Sequence, residues 1–203
     1  MSEVLAIFFA TILGFTILEP VHLLWINLVT DCFPALALGM EKPEADVMKR
    51  KPRASDEGIF AGGLGWAVFY QGFLVTIITL VSYFVGHYIE VGNFNVGEES
   101  VHGTTMAFLT LAMCEVFHSF NMRSLHSSIF TMKGQNKWLW GAGLLSLALT
   151  SVVVLVDPIA KTFSMTNIGL KEYVIAMGLG FMIIPIVEVF KLFHRIIKKN
   201  KSK

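Results

Sequence analysis

Apolar residues in this chain run in long blocks rather than alternating with polar ones. Gly58 to Ile89 and Trp138 to Val156 contain no Asp, Glu, Lys or Arg. Pro20 to Met40, Ser100 to Met122 and Tyr173 to Phe190 contain one each: Asp31, Glu115 and Glu188. About 20 mostly apolar residues suffice for a helix to cross a bilayer. Transmembrane strands would be about 10 residues long and alternating, so these blocks predict five spanning helices. A sixth run, Val4 to Leu18, would reach only about 22 Å as a helix, against about 30 Å of hydrocarbon. It lacks the basic start and small-residue cleavage site of a signal peptide and reads as a cut through a longer helix. The expectation is one all-α domain over 1–203, a polytopic transmembrane bundle of six helices with the first truncated. The helices are expected at about 3–18, 20–40, 58–88, 102–121, 138–156 and 172–197.

Composition agrees. The chain is 54% hydrophobic and 15% charged, with a mean hydropathy of +0.64, where soluble domains carry about 25% charged residues. A disordered chain or a soluble domain is thereby disfavoured. A net charge of +1 gives no basis for nucleic-acid binding. Charge placement orients the bundle. All of the lysines and arginines except Lys161 and Lys171 fall in the 41–57 loop, the 123–137 loop or the C-terminal tail. These segments share one side if the helices alternate, and positive residues mark the cytoplasmic side. Both termini are therefore expected in the cytoplasm, with the lipid bilayer as the first partner. Cys32 and Cys114 fall inside spans, where free packing thiols are expected rather than a disulfide.

The chemistry resides in the intramembrane carboxylates, which are costly and default to functional roles. Asp31 lies mid-span. At helical spacing Asn27, Thr30 and Asp31 share one face, offering an amide oxygen, a hydroxyl and a carboxylate. An oxygen-only set suits a hard cation such as calcium. Pro34 has no N–H to bond the Thr30 carbonyl four residues back, which predicts a free main-chain oxygen beside the cluster. Glu115 is also mid-span, and Glu3 joins it at membrane depth if the first helix is truncated. Carboxylates that converge repel one another unless a cation or protons compensate, which is the physical basis for exchanging protons for a cation.

Other features read as structural. Glu188, near Lys191 and Arg195, is expected to snorkel and pair at the surface. His118, one turn past Glu115, reads as a satisfied core histidine and Gln71 as interhelical glue. Gly58, Ala61, Gly62 and Gly65 form small-xxx-small patterns that permit close helix contact. Pro185 is expected to kink the last helix, and Trp138 and Trp140 to anchor at the interface. There is no Walker-type phosphate loop, and the stretch from Glu41 to Glu57 is too short for a nucleotide-binding domain. No catalytic residue is assigned, and ATP hydrolysis by this chain alone is not expected.

The segment from Glu19 to Gly39, with Asn27-Leu28-Val29-Thr30-Asp31 flanked by Trp25 and Pro34, closely resembles the sixth transmembrane helix of type II P-type cation ATPases. Glu41-Lys42-Pro43 and Met48 to Arg53 are similar to the loop that follows it in that family. The likeness extends over six helices, the family's fifth to tenth, and is closest to calcium pumps of the sarcoplasmic-reticulum type and their bacterial relatives. It implies a metal-binding set of Glu3, Asn27, Thr30, Asp31 and Glu115. It implies Ca2+ as the transported ion, with Mn2+ as the second choice, and ATP and Mg2+ acting only through domains outside the chain. The partners implied are the family's first four helices and cytoplasmic domains, with self-association of the chain as a further possibility; the location implied is a bacterial plasma membrane. Two other functions stay open on the residues alone. One is a self-standing channel or secondary transporter. The other is a non-catalytic assembly module, against which the charge of Asp31 argues.

Overall fold

The computed structural model describes residues 1–43, 48, 57–58, 60, 63–94, 99–124, 128–131 and 134–201. Lys49, Arg50, Lys51, Arg53, Lys133 and Lys203 of the orienting basic residues, and Ala61 and Gly62 of the small-residue pattern, lie outside the described residues. Those that are described form helices and connecting turns with no strand. The elements are α1 (Ser2–Leu13), α2 (Pro20–Trp25), a π-helical turn (Ile26–Asp31), α3 (Cys32–Gly39), α4 (Leu64–Val91), α5 (Val101–Asn121), α6 (Lys137–Leu155), α7 (Asp157–Thr162), α8 (Leu170–Phe181) and α9 (Ile183–Lys201).

α5 is the axis of the bundle. It packs against α4, α6, α8 and α9, and every residue from Met106 to Cys114 is shielded from the outside. Four helical stretches are long and apolar enough to cross a membrane: Pro20–Gly39, Leu64–Val91, Lys137–Leu155 and Leu170–Phe193. α5 has the length, 21 residues, but is not among them, which departs from the expectation of five such spans. The reason is its place. A helix ringed by other helices meets no lipid, so it can carry Thr105, Thr110, Ser119 and Asn121, all buried. α6 instead leaves Leu144 and Leu145 exposed, as a lipid-facing helix should.

Close approach replaces the missing apolar surface. A Cβ on Gly86 would stand 2.8 Å from the His102 carbonyl of α5, and one on Gly103 would stand 2.9 Å from the Tyr83 carbonyl of α4. A Cβ on Gly180 of α8 would stand 2.9 Å from Met113 Cβ. These glycines, rather than Gly58 and Gly65, set the tight helix crossings. A Cβ on Gly58 would meet open space, and one on Gly65 would meet only Phe60.

Four boundaries differ from the sequence expectation, the first being the start of α4, which begins at Leu64 after left-handed Gly63 rather than at 58. α1 stops at Leu13 because Gly14 takes a left-handed conformation, φ 85°, which glycine adopts without steric cost. Phe15, Ile17 and Leu18 continue as buried non-helical chain, with Phe15 stacked on Tyr83. An apolar run reads alike whether it is helical or buried coil. α7 is a short additional helix entered through Pro158, at a position that proline favours. The last predicted helix is split between α8 and α9. Pro185 brings no N–H to the Phe181 carbonyl, and its ring crowds it; the interruption is confined to Met182, whose amide still donates to the Gly178 carbonyl and whose carbonyl accepts from the Ile186 amide, both at 3.2 Å, so the stretch stays helical with a local distortion.

Candidate functional site

The π-helical turn is the local feature on which the site is built. Pro34 supplies no N–H to the carbonyl four residues back, Thr30, or five back, Val29. Ser146 of α6 donates its hydroxyl to the Val29 oxygen at 2.8 Å, and Trp25 Nε1 donates to Thr150 Oγ1 at 3.3 Å. The freed oxygen with an observed side-chain partner is therefore Val29's, on the α6 side. The looser π winding also changes which side chains share a face. Asn27 and Asp31, four residues apart, both line a cavity of about 250 Å³. Thr30 does not line it. Its side chain is buried and its hydroxyl donates to the Ile26 carbonyl at 2.9 Å.

The cavity lies between α1, the π turn, α4 and α5. Glu3, Asn27, Asp31 and Glu115 all line it, and Ser2, Gln71 and His118 complete its polar wall. The three carboxylate residues are half-buried, and Asn27 is exposed on the open side. Neutral donors serve two of them. Ser2 Oγ donates to Glu115 Oε1 at 2.6 Å. Asn27 Nδ2 donates to Glu3 Oε2 at 3.2 Å and to the Leu23 carbonyl at 2.8 Å. α1 is held in turn by Thr76 Oγ1 of α4, which donates to the Ser2 carbonyl at 3.1 Å.

Four of the five sequence-predicted ligand residues thus face one space, and Thr30 is turned from it. Among the described residues, no three His, Cys, Asp or Glu side chains stand close enough to hold a metal ion together. The arrangement is an open cavity with three acidic groups on its wall rather than a closed coordination shell.

Two further polar centres lie nearby, and sequence reasoning missed their form. Glu188 and Lys191 are not a surface pair: they are 9% and 5% exposed and 3.3 Å apart. Lys191 Nζ donates to the Asn121 carbonyl at the end of α5 at 2.8 Å, a favourable place for a cation. Glu188 Oε1 accepts from the Ile129 amide at 3.2 Å. α9 packs on the end of α5, which supplies the main-chain partner of Lys191, while the connection after α5 supplies that of Glu188 through the Ile129 amide. The second centre is Glu41, just past α3. Arg123 grips it with two hydrogen bonds, 2.8 and 3.1 Å, and Asn136 Nδ2 adds a third at 2.8 Å. The Arg123 guanidinium holds the Glu41 carboxyl below its usual value. Arg123 and Asn136 each flank a span end, and that was the available signal.

Fold and site together define a helical membrane domain carrying an acidic cavity inside the bundle. The family described as "Cation transporting ATPase, C-terminus" matches residues 15–193, and the chain belongs to that family. It is 41% identical to a calcium-transporting ATPase of Listeria monocytogenes over 95% of this chain and 21% of that protein. It is 38% identical to one of Bacillus subtilis over 89% and 20%. An endoplasmic reticulum-type calcium-transporting ATPase of Arabidopsis thaliana is 33% identical over 96% and 22%. The chain spans about a fifth of the length of these curated relatives.

Proposed function

We propose that this domain binds and passes the cation of an ATP-driven calcium pump, with the 250 Å³ cavity as part of the ion site. The observation that carries this reading is the convergence of Glu3, Asp31 and Glu115, from three different elements, on one space inside the bundle. In this reading Asp31 bridges the ion, and Glu3 and Glu115 compensate its charge and take up protons when it leaves. Asn27 turns its amide oxygen inward, and Thr30 contributes a neutral oxygen after releasing Ile26. Calcium suits an oxygen set because it takes 6–8 oxygens in flexible geometry; Mn2+ is the second cation that such a set admits.

The relatives, being calcium-transporting ATPases about five times as long, support the choice of ion and the dependence on other domains. ATP and Mg2+ act in those domains, and the partner of this bundle is the remainder of the pump; a second copy of the chain is the alternative partner. Both termini lie on the cytoplasmic side, and the membrane is the bacterial plasma membrane.

The test is calcium binding by the full-length pump carrying Asp31→Asn. The expected result is a loss of at least tenfold in affinity with the fold retained. Undiminished affinity would remove Asp31 from the ligand set and the cavity from the ion path.

A further inference from the structure

His118 lines the acidic cavity together with Gln71, and an imidazole on such a wall is a natural ligand for transition metals. Its hydrogen bonds show why it does not act as one. Nε2 lies 3.1 Å from Gln71 Oε1, and Nδ1 lies 3.5 Å from Asn121 Nδ2. Asn121 is wholly buried, and its amide donates to the Ile183 carbonyl at 3.3 Å. That carbonyl can only accept, so the Asn121 nitrogen must face it, and the same NH2 is the group that faces Nδ1. Nδ1 therefore has to accept, and the ring proton sits on Nε2, donated to Gln71. Gln71 Oε1 receives that proton, and the other end of the same amide donates to the Tyr70 hydroxyl at 2.8 Å.

We propose that Gln71 and Asn121 fix the tautomer of His118, so that the cavity offers oxygen but no imidazole electron pair and selects hard cations over nitrogen-seeking metals. The inference rests on the cavity being a cation site. Gln71 and Asn121 are positioning residues: they act through His118, and His118 acts by what it withholds.

The experiment titrates Co2+ into the full chain in lipid nanodiscs, read by its ligand-field absorption. In the unaltered chain, adding His118→Gln is expected to leave Co2+ affinity unchanged within twofold. In the double variant Gln71→Ala/Asn121→Asp, the new carboxylate accepts the proton at Nδ1 and turns the Nε2 electron pair toward the cavity. Partners of this kind change metal affinity by about 10- to 100-fold, so a gain of about tenfold is expected, lost again when His118→Gln is added. Nitrogen NMR of the unaltered chain reads the tautomer directly, whether or not the double variant folds. A proton on Nδ1, or Co2+ binding that already depends on His118, would overturn the inference. So would a folded double variant indistinguishable from the unaltered chain. Calcium binding by equilibrium dialysis on the same sample tests the cation-site reading separately. Its absence would remove that reading while leaving the tautomer result standing.

Discussion

Glu188 and Glu115 are both glutamates on helices of one bundle, and their surroundings differ in kind. Glu188 has the Lys191 ammonium at 3.3 Å and a main-chain amide at 3.2 Å. Glu115 has one neutral partner, the Ser2 hydroxyl, and two other carboxylate residues on the wall of its cavity. The first charge is matched, so it fastens α9 to the end of α5. The second has no side-chain cation beside it among the described residues; the positive group at its cavity is the amino group of Met1, which lines the same wall. A buried pair is costly to break, whereas an ionisable residue without a side-chain counter-charge inside a membrane protein is a candidate for function. Glu41, with its Arg123 fork, belongs with Glu188 in this division.

The division can be broken by removing counter-charges. Lys191→Met strands Glu188, and losing one partner of a buried pair costs roughly 3–5 kcal/mol. Unfolding in detergent should show that loss, and Glu188→Leu combined with Lys191→Met should recover most of it. A small cost for the single variant would put Glu188 among the cavity carboxylates instead.

Arg123→Gln should cost less, about 1.5–3 kcal/mol at neutral pH, the range for hydrogen bonds to a charged group. Glu41 is held below its usual value of 4.5. Its contribution is thus complete above that value and lost as pH falls through the lowered one. Stability measured from pH 7 to pH 3 should therefore fall less steeply in Arg123→Gln than in the unaltered chain. Equal acid slopes would remove this ion pair from the structural group.

The smallest effect is expected at Ser146→Ala, about 1 kcal/mol for one neutral hydrogen bond. It releases the Val29 carbonyl that holds the π turn to α6. Calcium affinity should change more than stability does, because the turn aims Asn27 and Asp31. A variant that loses stability alone would show that the turn is set by Pro34 without α6.

The blocks of apolar residues made the bundle legible, because the membrane demands runs of fixed length. They could not show that Gly14 ends α1, since Phe15, Ile17 and Leu18 are as apolar as the helix before them. They also hid the role of α5: its polar residues are tolerable only because other helices surround it, which is a tertiary fact. Asp31 and Glu115 stood out as charges in apolar runs, and both line the cavity. Thr30 shares that face only under uniform α-helical winding, and the π turn rotates it away. The spacing of Glu188 to Lys191 suggests a surface pair and is visible in the chain. The end of α5 that covers both is not.

The most direct measurement is the thermal unfolding of the pump proposed above with and without calcium, for the unaltered protein and for Glu3→Gln/Asp31→Asn/Glu115→Gln. A ligand that binds only the folded state raises its stability by mass action, and neutralising charges that repel removes a cost of folding. The triple variant is expected to melt higher than the unaltered protein without calcium and to show no calcium-dependent shift. A triple variant that melts lower and still responds to calcium would contradict the assignment of these carboxylates to the ion.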